Sequence, residues 1–367
     1  MPSWDNKPSG EMTAAVLSKP GLSADPSDCF TYTKDYPRPS LPSPEWVLCR
    51  VHAAGLNRAE LRGRTGAAPF LAEFIIFQKE YHEDPPAILG EEFAGEVEQA
   101  GSQSGYKQGD KVTGFVYGGG KAYDGAYAEF VIVHSRRLYR LPQTSLPWDV
   151  LAAIPMSMYT AWGALNLAAR LRERSKPAVL IHGATSSVGI WALLLAKDAG
   201  ATVIATTRNP AKVQQLEQAG AHHVILENFI DSEIPKLYPQ GVDIVVELVG
   251  PDQVSRCVQL CARYGTTVLV GPLNKVWSAK GFEPFSIPPT RNVSFFTMTN
   301  SGLGSEDADV DHETINGLLA DVISKVETGV YPQKVFLNKV FKLQEIGKAH
   351  QYMEENLAVG KVVVTIV

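Results

Sequence analysis

The chain has 367 residues, 45% of them hydrophobic and 20% charged, with a formal net charge of −5 at pH 7; this is an ordinary globular make-up with room for two domains. No basic tract marks a nucleic-acid partner, no run approaches the roughly 18 apolar residues of a membrane span, and the first residues lack the apolar core of a signal peptide. The four cysteines, Cys29, Cys49, Cys257 and Cys261, form no C-x-x-C pair, so reduced thiols and a cytoplasmic location are expected.

Residues 1–11 read as a loose arm. A strand is predicted over 12–17 and another around Tyr32. Pro37, Pro39, Pro42 and Pro44 exclude helix from the segment that follows. Residues 45–54, EWVLCRVHAA, alternate as a strand does, and 55–61 lead from it into a short helix. Residues 67–86 are aromatic-rich, with Phe70, Phe74, Ile75, Phe77 and Tyr81. This insert either walls an apolar substrate pocket as a lid or covers the strands beside it. Strands at 92–99, 111–115 and 126–133, with a turn at Gly109-Asp110 and the glycine loop 118–120, point to a partly closed β domain.

The composition changes near 146. Two helices are predicted within 147–169, the first broken at Pro155. A βα rhythm then takes over, with strands at 178–181, 202–206, 223–226, 243–249, 267–270 and 293–297. Helices are predicted at 190–199, 211–219 and 252–262, the last carrying both Cys257 and Cys261 as apolar filler. That is an α/β fold with a doubly wound parallel sheet. The loop 272–290 is long for such a fold, and its Trp277, Phe282 and Phe285 would line a pocket or a subunit contact. A helix over 312–327 precedes strand 331–339, helix 343–355 and strand 361–367. This tail is expected to return to the N-terminal β domain. The predicted domains are therefore 1–146 and 306–367 for the β part and 147–305 for the parallel sheet, with the chemistry in the cleft between them.

Residues 178–208, AVLIHGATSSVGIWALLLAKDAGATVIATTR, organise the rest. Strand, small-residue turn, helix and second strand make a βαβ dinucleotide-binding unit. The turn holds Gly183, Thr185, Ser186, Ser187, Val188 and Gly189. A pyrophosphate is expected over Ser186, Ser187 and Val188 at the helix N-terminus. After the second strand comes Thr207-Arg208-Asn209-Pro210-Ala211-Lys212. No acid stands there for a ribose 2′-hydroxyl. Arg208 and Lys212 instead suit a 2′-phosphate, which favours NADPH over NADH; otherwise the two cations face solvent. Gly250 and Gly271 end the fourth and fifth strands, on the cofactor's path.

The chain resembles the medium-chain dehydrogenase/reductase superfamily, in its zinc-independent quinone reductase and enoyl reductase branch. GLNRAEL (55–61), ILGEEFAGEV (88–97), GDKVTGF (109–115), DGAYAEFVIV (124–133), PMSMYTAWGAL (155–165), VLIHGATSSVG (179–189) and GKVVVTIV (360–367) carry the resemblance. It implies a GroES-like partly closed β-barrel beside a Rossmann domain, often dimeric through the Rossmann sheets. Zinc alcohol dehydrogenases place Cys where this chain has Asn57 and His where it has Glu91, and no cysteine lies between Cys49 and Cys257 for a structural zinc lobe. His52, His82 and His134 have no metal-ligand spacing. No metal is expected.

By this resemblance Asn57 would orient the nicotinamide ribose or the substrate, unless it is a helix N-cap. Thr160 would contact the nicotinamide end, or cap a turn. Lys361 would reach toward the cofactor, or be a solvated edge lysine. Without a Lewis acid, reduction of an activated C=C in an enone or enoyl substrate is the first reading. NADPH:quinone reduction is the alternative, and a non-enzymatic NADPH-binding protein a third. Tyr159, Tyr123 and Tyr127 are proton donors by chemistry only, with water as the other source.

Overall fold

The computed structural model describes residues 10–19, 21, 25–65, 88–116, 123–279, 283–298 and 312–366. The insert 67–86, the arm 1–9, the glycine loop 118–120, His82 and Phe282 lie outside them. The strands, in chain order, are β1 (Glu11–Leu17), β2 (Phe30–Pro37), β3 (Trp46–Gly55), β4 (Glu92–Ala100), β5 (Lys111–Phe115), β6 (Phe130–His134), β7 (Leu138–Arg140), β8 (Ala178–His182), β9 (Thr202–Thr207), β10 (His223–Leu226), β11 (Val242–Glu247), β12 (Cys261–Leu269), β13 (Asn292–Phe295), β14 (Leu337–Lys342) and β15 (Lys361–Thr365). The chain divides into two compact units, one of residues 1–155, 302–333 and 337–367, the other of residues 156–301 and 334–336.

The first unit is built on a sheet ordered β14-β15-β3-β4-β5-β7, with β6 also paired to β3. β3 is paired on both edges, by β4 and β6, and one face of it is core: Val47, Cys49, Val51 and Ala53 are fully buried, while Arg50 and His52 on the other face are half-buried. β15 adds antiparallel to β3 in the register Val363↔Gly55 and Val364↔Ala54. The Leu56 N–H also donates to the Val362 carbonyl at 2.9 Å. The far C-terminus is thus woven beside residues 55–57. β14 begins later than the sequence pattern predicts. Residues 333–336 form a short helix, Gln333–Phe336, started by extended Pro332, so residues 331–336 serve turn and helix before the strand.

The second unit is a six-stranded sheet ordered β10-β9-β8-β11-β12-β13, and every pairing in it is parallel. Counted from β8 this is 3-2-1-4-5-6. The direction in which successive strands are added reverses between β8 and β11, the switch point outside whose strand ends ligands bind in such sheets. β8 is buried at every residue, as a central parallel strand covered on both faces must be. Cys257 lies in the helix Val254–Leu260, but Cys261 opens β12 rather than sharing that helix.

The stretch Trp148–Ala168 is long and apolar enough to cross a membrane by length and composition, but it is mostly buried inside the protein. It is three packed pieces, the helices Trp148–Ala152 and Pro155–Gly163 and a π-helical turn Ala164–Ala168. Pro155 occupies the first position of the second helix, where its missing N–H costs nothing.

Candidate cofactor and active site

In the second unit the turn after β8 is held by Thr206 of β9. The Gly183 N–H donates to Thr206 Oγ1 at 3.0 Å and the Ala184 N–H to the Thr206 carbonyl at 3.2 Å. Gly183 has φ +90°, a left-handed conformation that glycine adopts without strain. A Cβ on Gly189 would stand 2.7 Å from Ala184 Cα, so only glycine lets the helix start close on the turn. Ser186 caps the helix Ser187–Asp198: its hydroxyl accepts from the Gly189 N–H at 3.1 Å and donates to the Gly183 carbonyl at 3.0 Å. Ser187 and Val188 therefore stand in the first helical turn, where backbone N–H groups and the helix dipole favour an anion. Thr185 is half-buried beside them.

At the end of β9, Thr207 is buried and its Oγ1 receives the Asn209 N–H at 3.1 Å, while Asn209 caps Ala211 at 3.0 Å. This tight turn leaves Arg208 exposed and Lys212 half-buried, with no carboxylate between them in sequence. Gly250 is buried at the turn after β11, and Gly271 faces open space after β12. The cradle fits a dinucleotide: small residues, a capped helix start and a basic strand end.

In the first unit the register of β15 on β3 brings Lys361 to Asn57. Lys361 is fully buried, as is Glu92, and the two form an ion pair. Lys361 Nζ also donates to Asn57 Oδ1 at 2.6 Å, while Asn57 Nδ2 donates to Glu92 Oε1 at 2.9 Å. Glu60, one turn further on in the helix Arg58–Thr65, accepts the Asn57 N–H at 2.6 Å and the Glu91 N–H at 3.0 Å. Burial and the charge of Glu91 push the Glu60 carboxyl up to about 8, against the pull of Lys361. Gly55 is required here: a Cβ would lie 2.7 Å from Glu92 Oε1, from Lys361 Cε and from the Ala152 carbonyl.

Asn57 Oδ1, the atom a helix cap would use, is thus taken by Lys361. Lys361 is a buried counter-ion and not a solvated edge lysine. A zinc ion does not fit this array. Its cation is already present as the Lys361 ammonium, and an amide and carboxylates replace thiolate and imidazole. His52 instead stacks on Trp148 at 4.5 Å and His134 packs edge-on against Trp46.

Tyr159 and Thr160 lie in the helix Pro155–Gly163. Tyr159 is 1% exposed, and Thr160 Oγ1 donates back to the Met156 carbonyl at 2.6 Å. Tyr127 is fully buried, its hydroxyl without a partner among the described residues. Burial and then the charges of Glu60, Glu91 and Glu92 raise its pKa further above the usual tyrosine range, making it a weaker acid. Sequence reasoning missed Glu60 and the importance of Glu92. The N-x-x-E spacing of Asn57 and Glu60 was the available signal, half of a capping box.

Residues 43–143 match the family described as alcohol dehydrogenase GroES-like domain, and residues 187–309 that described as zinc-binding dehydrogenase. The chain is 31% identical to mouse (Mus musculus) quinone oxidoreductase over 239 residues, 63% of this chain and 66% of that protein. The matched part thus spans just under two thirds of that relative's length. Among solved structures, AibC superposes with a TM-score of 0.77 at 27% identity, covering 97% of this chain and 96% of that one. The quinone oxidoreductase from Coxiella burnetii superposes with a TM-score of 0.73 at 25% identity, covering 97% and 100%.

Proposed function

Since the chain belongs to the medium-chain dehydrogenase/reductase superfamily, we propose that it is an NADPH-dependent reductase of quinones that works without a metal. The observation carrying this reading is the buried Asn57–Lys361–Glu92 array, whose cation is a lysine ammonium held by an amide and a carboxylate. Without a Lewis acid to polarise an alcohol, the fitting acceptors delocalise incoming charge through their own conjugated carbonyl. Quinones and enones both do so. The sequence reading puts enone or enoyl reduction first; the relatives named quinone oxidoreductase support the quinone alternative better.

When bound, NADPH supplies the hydride, and a quinone taking it with one proton leaves as the hydroquinone. Ser187 and Val188 would hold the pyrophosphate, with Gly183, Thr185, Ser186 and Gly189 shaping the turn and Thr207, Gly250 and Gly271 its borders. Arg208 and Lys212 would hold the 2′-phosphate. Asn57 and Thr160 would orient the nicotinamide end or the acceptor. Tyr159, almost fully buried, would serve as support rather than as an acid. Glu60, its carboxyl raised to about 8 by burial and the charge of Glu91, gives the array around Asn57 a proton close at hand. Oxidation of NADPH by the purified protein with a quinone panel and an enone panel tests the reading. Faster turnover of quinones supports it, faster turnover of enones restores the first reading, and tight NADPH binding without turnover overturns both.

We further propose a homodimer through the β13 edge of the parallel sheet. Among the described residues β13 has no neighbour on its outer side in the sheet order, and Phe295 and Val293 are 58% and 40% exposed on it. Such an apolar edge strand is open to pairing with a second copy.

A further inference from the structure

His182 ends β8, one residue before the nucleotide turn, and it is fully buried with both ring nitrogens on carboxylates. Nδ1 contacts Glu247 Oε2, and Nε2 lies 2.5 Å from Glu227 Oε1. Glu247, at the end of β11, is itself fully buried. Its Oε1 accepts the Val249 N–H at 2.6 Å and the Gly250 N–H at 2.9 Å. Its Oε2 also accepts the Cys257 thiol at 2.9 Å. The Leu248 N–H closes the link by donating to the His182 carbonyl at 3.1 Å. On the outer side Glu227 is held by Arg256 at 3.0 Å, and Arg256 by Asp231 at 2.8 Å. The ends of β8 and β11, which flank the switch point of the sheet, are thus tied together through one imidazole.

We propose that His182 is a positioning residue for the dinucleotide: as an imidazolium clamped between Glu227 and Glu247, it fixes the Leu248–Gly250 turn against the Gly183–Gly189 turn. This rests on the reading that those turns line the dinucleotide groove. The charge state follows from the partners. Two carboxylates face the ring from the segment after β10 and from β11; the helix Val254–Leu260 contributes the neutral Cys257 thiol and Arg256, whose guanidinium is engaged by Glu227 and Asp231. Asp252 also feels the ring's charge. Burial alone would lower the His182 pKa, but the two hydrogen-bonded carboxylates raise it to about 9.

His182, Glu247 and Cys257 also offer ligand atoms within 4.8 Å of one another, the arrangement of a possible metal site. A metal would need a neutral ring and an ionised thiol. Here both carboxylates favour the imidazolium, and burial, followed by the charge of Glu247, holds the thiol protonated.

The test is NADPH binding by fluorescence titration from pH 6 to 10, on wild type and on His182→Gln, with kcat and KM measured beside it. At pH 7 the variant should bind NADPH roughly tenfold more weakly, a coupling of ordinary size between adjoining sites, with kcat at saturation little changed. Wild-type affinity should fall as the pH rises through about 9, and that alkaline limb should vanish in the variant. Should His182→Gln not fold, Glu227→Gln keeps a hydrogen-bond acceptor and removes one charge; its alkaline limb should move to lower pH. Arg208→Ala, which also weakens NADPH, should keep the limb of wild type. Unchanged affinity and pH profile in His182→Gln or Glu227→Gln overturn the inference alone, and so does one equivalent of zinc that Cys257→Ser removes. Wild type that binds neither NADPH nor NADH overturns the dinucleotide reading and the inference with it.

Discussion

Lys361 Nζ lies 2.6 Å from Asn57 Oδ1, although the two residues are 304 positions apart. The C-terminal strand β15 runs antiparallel to β3 and delivers its first residue, fully buried, onto Glu92 and Asn57. Both charges are out of water, so each depends on the other. Removing one partner of such a buried pair costs about 3–5 kcal/mol, because the other stays buried and uncompensated. Lys361→Met should therefore lower the midpoint of thermal unfolding sharply. The double variant Lys361→Met/Glu92→Gln should recover much of that loss. Calorimetry of the single and double variants checks this, and additive losses would deny the coupling.

Arg208 stands exposed at the end of β9, in a turn shaped by Thr207 and Asn209. A charge-assisted hydrogen bond to a 2′-phosphate is worth about 1.5–3 kcal/mol. Arg208→Ala should thus weaken NADPH at least tenfold and leave NADH nearly unaffected. Titration with both cofactors decides it; equal losses would remove Arg208 from the 2′-phosphate site.

His350 is fully buried against Phe30 and Tyr127, and neither ring nitrogen has a partner among the described residues. Burial, helped by the Arg64 charge, drops its pKa to about 3. The unfolded chain, with an ordinary histidine near 6.5, then binds more protons than the folded one between those values. Stability from this residue is full above pH 6.5 and is lost as the pH falls toward 3. His350→Phe should flatten the acid side of the stability profile, measured by denaturant unfolding at pH 4 to 7. His182 works in the opposite direction. Its pKa is raised to about 9, so its contribution is full below pH 6.5 and is lost as the pH rises through 9.

The β13 edge predicts assembly. Phe295→Asp places a charge on an exposed apolar strand. It should shift the protein from dimer to monomer in analytical ultracentrifugation, with the fold retained. A wild-type protein that is monomeric at all concentrations would contradict the proposed pairing.

The strands and the nucleotide turn were legible in the sequence because their causes are local. β10 and the helix His312–Glu327 begin and end where the pattern of apolar residues does. Glycines and serines in the turn declare the close approach of Gly189 to Ala184. What escaped depends on distant pairing. His182 and Glu247 are 65 positions apart, and each looks in sequence like a polar residue ending a strand. Only the parallel register Glu247↔His182 turns them into a pair. Lys361 was read from its place in a closing motif, but its burial follows from β15 adding to β3, with Gly55 clearing the space. The break at Phe336–Leu337 was missed because the apolar residues from 331 to 336 fit a strand as well as a short helix.

The most direct test of the central claim is steady-state NADPH oxidation with a quinone, before and after exhaustive metal chelation, in wild type and Asn57→Ala. The account predicts turnover of the quinone by wild type that chelation leaves unchanged, and a kcat at least tenfold lower in Asn57→Ala. Activity that chelation abolishes and zinc restores would contradict it.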